Sequence, residues 1–150
     1  MLRNTLLALV ALGGTGCAGT PPNGAPSTLE ACSSGTMYTG GVGASMSPGD
    51  DCNACHSFAA AGTVMGAPDD EVNCNGVGDV IVRIIDAKGA VHELVSNGAG
   101  NFSTGEAIPV PYTAELERDG LVTTMTTPQT DGSCNACHTA GGAPGRLVTP

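Results

Sequence analysis

The chain has 150 residues and a formal net charge of −9, with 23 glycines, two phenylalanines, two tyrosines and no tryptophan. This acidic balance excludes nucleic acid as an expected partner and favours basic or metal-bearing proteins, although solubility alone also explains acidic charge. Because so few large apolar side chains are present, we expect a small core.

Residues 1–16 are predicted to be a signal peptide. Arg3 supplies a positive charge, and an apolar run and small residues lead to Cys17. The run is shorter than the ~20 residues that span a bilayer. Small residues ending in a cysteine resemble a bacterial lipoprotein signal, which predicts lipidation of Cys17, although Gly14 stands where an aliphatic residue is usual. The alternative is ordinary signal-peptidase cleavage near Gly16 or Ala18, which leaves a soluble protein.

Residues 17–34 are mostly Gly, Pro, Ser, Thr and Asn, which predicts a flexible tether. Beyond it, the strongest strand pattern runs from Asp79 to Asp86, where both faces are apolar except at Arg83, as in a central strand. Further strands are expected at 62–65, 91–95, 101–103, 112–117 and 121–126, and a tight hairpin turn at Asp119-Gly120 is expected to join the last two. Short strands between turn signals predict a mainly β fold, a small antiparallel β-sandwich, with no helix of useful length.

One five-residue stretch occurs twice, as Cys52-Asn53-Ala54-Cys55-His56 and as Cys134-Asn135-Ala136-Cys137-His138. Cys-x-x-Cys-His is the attachment signature of c-type haem. Two thiols on one turn can add to the two vinyl groups of a haem, and the adjacent imidazole can bind the iron. The pattern therefore predicts two covalent haems c. Their thioether bonds are expected at Cys52, Cys55, Cys134 and Cys137, and their proximal ligands are His56 and His138.

Chance, a zinc site and a redox dithiol are the three alternatives to haem at the twin motifs. Identical copies make chance negligible, and zinc ribbons usually close over roughly 15–20 residues, a much shorter separation than this one. A thioredoxin-like dithiol needs one motif beside a βαβ pattern, which the sequence lacks. The cysteines left over, Cys32 and Cys74, are predicted to form a disulfide because export favours one, the alternative being two unpaired thiols.

The distal haem ligands are less well defined by sequence. Met46 and Met125 each lie a few residues before a motif with a proline between, and methionine is a common sixth ligand. The alternative is that they fill an irregular core. His92 is the third histidine; it is either a distal ligand or an exposed residue of a strand. If none of these reaches the iron, the haem is five-coordinate and open to a small ligand.

Residues 61–126 resemble the carboxypeptidase regulatory-like domain, a small transthyretin-like sandwich. The resemblance is carried by Gly62-Thr63-Val64, Gly76-Val77, Val80-Ile81-Val82, Asp86-Ala87-Lys88-Gly89, Asn97-Gly98-Ala99-Gly100-Asn101-Phe102 and Pro109-Val110-Pro111-Tyr112-Thr113-Ala114. The family's Pro-Pro-Gly is Pro-Val-Pro here. The resemblance implies a structural spacer that carries no catalytic residue.

With both motifs, the whole chain is similar to exported bacterial cytochrome c-like lipoproteins, the sandwich lying between haem-binding segments at 35–60 and 127–150. The expected function is electron transfer without enzymatic activity, because the motifs require a redox cofactor and nothing requires a substrate. Expected partners are redox proteins such as other cytochromes and, through Cys17, the outer membrane, facing the periplasm or the cell exterior. A homo-oligomer is conceivable, since a second copy could supply a missing axial ligand. The alternatives are a haem-based sensor, a peroxidase-like protein or a structural lipoprotein whose motifs hold metal.

Overall fold

The computed structural model describes residues 43–45, 48–67, 76–139, 142 and 144–150. Within these ranges the chain is mainly β, as the sequence predicts. The strands are β1 Ala60–Met65, β2 Ile81–Ile85, β3 Val91–Val95, β4 Asn101–Thr104, β5 Tyr112–Arg118, β6 Leu121–Gln129 and β7 Leu147–Val148. The helical elements are the single turn α1 Cys134–Cys137 and the 3-10 turns Gly43–Ser45 and Cys52–Ala54.

The strands form two sheets, which confirms the small sandwich. One sheet is antiparallel, in the order β3-β2-β5-β6, and the other has the order β4-β1-β7. β2 is an inner strand of its sheet, as its apolar sequence predicts. In the second sheet β1 pairs antiparallel with β4 and parallel with β7.

The core lies between the sheets and follows the alternation of side chains along each strand. In β2, Val82 and Ile84 are buried, whereas Arg83 is half-buried on the other face and pairs there with Glu93 (3.2 Å) and Glu117. Buried side chains from the other strands complete the core: Ala60, Val64, Val80, Phe102, Tyr112 and Leu116. Each large apolar side chain buried in this way stabilises the fold by roughly 1.5–3 kcal/mol.

β1 is buried along its whole length. β4 and β7 pair with it on either side, and α1 packs against it. Its first three residues, 60–62, are Ala, Ala and Gly, small enough to allow this close approach. β1 thereby connects the core of the sandwich to the segment that carries the second motif.

Two features of the chain's last third differ from expectation. β6 continues to Gln129, beyond the predicted strand end at 126, and so enters the segment assigned to the second motif. The tail forms β7, which pairs Leu147 with Val64 and Val148 with Met65. A two-residue strand carries no periodicity in sequence, because its pairing depends on a distant partner. The predicted hairpin turn at Asp119-Gly120 is present, with positive φ at both residues.

Several predictions fall outside the described residues: the signal peptide 1–16, the tether 17–34, Met46, and the cysteines Cys17, Cys32 and Cys74. Within the described ranges, no helix is long and apolar enough to cross a membrane.

Candidate haem-attachment site

Each motif is wound into one helical turn. The amide of His56 donates to the Cys52 carbonyl at 2.9 Å, and the amide of His138 donates to the Cys134 carbonyl at 2.8 Å. The first turn begins at Asp51, whose carboxylate accepts from the Asn53 amide at 3.0 Å and so caps it. In both copies, two cysteines and a histidine therefore share one turn, as haem attachment requires.

The structure brings the two motifs together. Asn135 donates from its side-chain amide to the Asp50 carbonyl at 2.7 Å, and the Ser133 hydroxyl donates to the Asp51 carboxylate. These partners are 85 and 82 residues apart in sequence, and both Asn135 and Ser133 are buried. The segment that leads into the first motif is thus hydrogen-bonded to the second motif and to the residue before it.

Thr63, in the middle of β1, joins both motif segments to the sheet. Its buried hydroxyl accepts from the Gly49 amide at 2.8 Å and from the Asn135 side chain at 3.0 Å. The hydroxyl donates to the Asn101 side chain at 2.7 Å, and the Thr63 amide donates to the Asn135 side-chain oxygen at 3.0 Å. A threonine hydroxyl has one proton and two lone pairs, so its three bonds to Gly49, Asn135 and Asn101 use its full hydrogen-bonding capacity.

Two glycines allow the second motif to lie directly on β1. A Cβ added to Gly62 would stand 2.8 Å from the Cβ of Cys134, and one added to Gly132 would stand 2.0 Å from the Ala59 carbonyl oxygen. The Gly132 carbonyl accepts from the Ala61 amide at 2.9 Å, which extends the sheet by one bridge. No side chain other than hydrogen fits at either position without moving its neighbours.

The first cysteine of each motif is partly buried. Burial raises the pKa of the Cys134 thiol to about 11, and the nearby Cys52 adds to the shift. Burial is also the main cause of a raised pKa at Cys52. Both groups are therefore neutral thiols near pH 7, whereas metal ions bind thiolates.

Cys137 is disulfide-bonded, whereas Cys52, Cys55 and Cys134 are free thiols. None of the other three described cysteines is therefore its partner. A disulfide at this position was not expected, because the sequence assigns Cys137 to haem. The predicted pairing of Cys32 with Cys74 lies outside the described residues and stays a prediction.

The two motif histidines have different surroundings. The Nδ1 of His138 lies 2.9 Å from the Gly145 carbonyl oxygen; it donates in this bond, which leaves Nε2 with a free lone pair. Burial lowers the pKa of His138, so the imidazole is neutral near pH 7. His56 is exposed, and its ring lies 5.0 Å from the ring of Phe58.

Neither described distal candidate is placed at a motif by its contacts. His92 lies on β3, with Nε2 3.1 Å from the buried carboxylate of Asp86. That hydrogen bond is the main cause of the lowered pKa of Asp86. Met125, opposite Ala114 on β6, packs partly buried against the core. Their ligand roles stay predictions.

The residues that join the motifs could not be predicted from sequence; they are Thr63, Ser133, Asn135 and the two aspartates before the first motif. Asn135 occupies a variable position of the motif, and Asn53 occupies the same position of the first motif. Because the two motif sequences are identical, they do not indicate that the two asparagines have different environments. The doubled acidic residue Asp50-Asp51 was the one available signal, because aspartate is a common cap of a helical turn.

Among the described residues, no group of three or more His, Cys, Asp or Glu side chains is gathered to hold a metal ion. A four-ligand zinc site would need such a group. No family model, curated protein or solved structure matches the chain.

Proposed function

We propose that the chain is a dihaem c-type cytochrome that transfers electrons, exported and anchored to the outer membrane through Cys17. The observation that carries the proposal is the geometry of the two motifs. Each forms a turn closed by a hydrogen bond from the histidine amide to the carbonyl of the first cysteine, at 2.9 and 2.8 Å. Such a turn holds two thiols and an imidazole close enough to engage one porphyrin.

The donor set of the first motif fits haem c, and so does the histidine of the second. At the first motif, Cys52 and Cys55 are free thiols and His56 is exposed, so all three are available. At the second, His138 presents Nε2 because Nδ1 bonds to the Gly145 carbonyl, an arrangement typical of metal-bound histidine. When bound, the haem supplies a reversible one-electron iron couple.

The protein holds the second motif more firmly than the first. Tyr112, buried on β5, donates its hydroxyl to the Asp131 carbonyl at 2.6 Å and so fixes the chain just before the motif. Burial is the main cause of the raised pKa of this phenol, which remains a hydrogen-bond donor throughout the physiological range. The Gly145 carbonyl orients the His138 ring and raises its basicity as a ligand.

Attachment at Cys137 requires reduction of its disulfide. A dithiol reductant supplies two electrons and two protons, the S–S bond breaks to give two thiols, and the reductant becomes a disulfide. Cys137 would then hold the haem through a thioether bond to one of its vinyl groups, with Cys134 holding the other. The disulfide belongs on this account to the form of the chain that precedes haem attachment.

Electron transfer suits two sites on one small sandwich better than catalysis does. Both motif segments bond to β1, which favours passage of an electron between them. The net charge of −9 favours basic or metal-bearing redox partners, other cytochromes among them, with association that weakens as salt is raised.

The test is an intact mass and an optical spectrum of the full chain from bacteria that express a c-type maturation system. We expect the mass of two added haems, and sharp α and β bands in the optical spectrum of the reduced protein. Loss of one haem is expected from the pair Cys52→Ala and Cys55→Ala, and of the other from Cys134→Ala and Cys137→Ala. No added haem overturns the proposal, and a single haem overturns the dihaem assignment.

The same spectrum separates electron transfer from a sensing or peroxidase-like role. A six-coordinate, low-spin spectrum that carbon monoxide leaves unchanged supports an electron carrier. A high-spin spectrum that shifts with carbon monoxide overturns it in favour of an open haem site. His92→Ala and Met125→Ala then test each distal candidate, because loss of a sixth ligand converts low-spin to high-spin iron.

A further inference from the structure

We propose that Asn135 is a positioning residue for both attachment motifs, and that its hydrogen bonds make the two motifs one cooperative unit on β1. The structural coupling is independent of the cofactor, whereas its consequence for haem attachment rests on the proposed function. The first motif would then depend on residues more than 80 positions later in the chain.

The two asparagines of the identical motifs make different contacts. Asn53 bonds only nearby backbone through its side chain, accepting from the Phe58 amide at 3.0 Å and donating to the Phe58 carbonyl at 3.1 Å. Asn135 reaches across the molecule to Asp50 and Thr63. The difference comes from what surrounds each motif, since the five residues are the same.

Asn135 is 3% exposed and Thr63 is 2% exposed, so the hydrogen bonds between these two residues are shielded from water. Its amide group donates to the Asp50 carbonyl at 2.7 Å and to the Thr63 hydroxyl at 3.0 Å. Its oxygen accepts from the Thr63 amide at 3.0 Å. Leaving a buried polar group unpaired costs more than the bond itself contributes, so these contacts oppose any separation of the two segments.

A second link runs through the cap of the first motif. The Ser133 hydroxyl donates to the same Asp51 oxygen that accepts from the Asn53 amide. The second segment therefore holds the side chain that begins the first helical turn. Two independent contacts, from Ser133 and Asn135, join the second segment to consecutive residues before the first motif.

The experiment compares Asn135→Asp with the matched variant Asn53→Asp by amide hydrogen exchange of the full chain without haem. Each substitution removes one side-chain N–H donor group and keeps an oxygen acceptor. With Asn135→Asp, exchange is expected to accelerate on the order of tenfold both at 50–56 and at 133–138. With Asn53→Asp, it is expected to accelerate within 53–58 alone.

Exchange at β2, Ile81–Ile85, reports whether the sandwich remains folded. If β2 is protected and Asn135→Asp changes only 133–138, the proposal is wrong. If Asn135→Asp unfolds β2, the variant Asn135→Ala is measured instead, because it removes the same hydrogen bonds without adding a charge. Faster exchange at 50–56 in Asn135→Ala supports the coupling, and unchanged exchange there overturns it.

Haem content gives a readout of the attachment step. After reduction of disulfides, trypsin cleavage after Arg83, Lys88 and Arg118 separates the two motifs into different peptides. Asn135→Asp is expected to lower haem on both peptides and Asn53→Asp only on the first. Normal haem on the first peptide of Asn135→Asp overturns the attachment role. Wild-type chain without haem instead overturns the proposed function, and the exchange result stands by itself.

Discussion

The two motifs are identical in sequence and differ in almost every contact beyond their own turn. In the first, Cys55 and His56 are exposed, and Asn53 bonds within six residues of chain. In the second, Asn135 is buried, and His138 is hydrogen-bonded to Gly145. The five letters determine the turn, whereas the flanking residues determine how the turn is held.

The two motifs therefore differ in how they contribute to the fold. The second lies on β1 and contributes to the packing of the sandwich, so substitutions around it are expected to affect folding as well as the proposed haem attachment. The first is held through Asp50 and Asp51 and presents Cys55 and His56 to solvent. Substitutions on its exposed side are expected to affect the proposed haem attachment and leave the fold intact.

The largest effect is expected from Gly132→Ala. The added Cβ would meet the Ala59 carbonyl oxygen at 2.0 Å, a backbone atom that cannot move without distorting β1. We expect a loss of about 3 kcal/mol in the free energy of unfolding, measured by urea denaturation. Gly98→Ala is the control, because its added Cβ has no neighbour within 4 Å. Equal stability of the two variants would show that the second motif does not lie closely on β1.

Much of the sandwich could be predicted because its determinants are local. The alternation in β2 and β5 and the turn at Asp119-Gly120 lie within a few residues, and the structure has them where the sequence predicts them. β7 could not be placed in this way, because it pairs with Val64 and Met65 much earlier in the chain, and periodicity contains no information about such a partner. The end of β6 was not predicted although its partner is in the same hairpin, where Gln129 lies opposite Tyr112 beyond a register shift.

The candidate site, like the sandwich, was predicted only where its determinants are local. The spacing of cysteine and histidine predicts the helical turn of each motif, because that spacing lies within five residues. Their meeting on β1 depends on Thr63, Ser133 and Asn135, whose roles follow from contacts over 72 to 85 residues. The sequence alone does not show what the asparagine of a Cys-x-x-Cys-His motif contacts.

Thr63→Val is expected to have the next largest effect and to loosen both motifs together. Valine has nearly the same shape but leaves the Gly49 amide, the Asn101 side chain and the Asn135 side chain without the hydroxyl. We expect a loss of roughly 2 kcal/mol in urea unfolding. Thr126→Val, on the exposed part of β6, is the control. If Thr63→Val lowers hydrogen-exchange protection at only one motif, Thr63 does not join the two segments.

His138 is expected to make stability depend on pH. Burial lowers its folded pKa, so the unfolded chain takes up a proton first as pH falls through about 6.5. This contribution is complete above that pH and is lost as pH falls toward the folded pKa, by less than about 1.4 kcal/mol for each pH unit. Unfolding of the haem-free chain between pH 8 and 5 measures it. His138→Gln should remove this slope and His56→Gln should keep it; an unchanged slope in His138→Gln would contradict the burial of this ring.

The smallest effect is expected from Phe58→Leu, which removes the ring contact beside the first motif. Phe58 is half-buried and stacks on an exposed histidine, so the loss should be about 0.5 kcal/mol in urea unfolding. The matched substitution Phe102→Leu, in the core and against Gly62, should cost about 1.5 kcal/mol. If Phe58→Leu is as destabilising as Phe102→Leu, the first motif is part of the core, and the two motifs differ less than their exposure indicates.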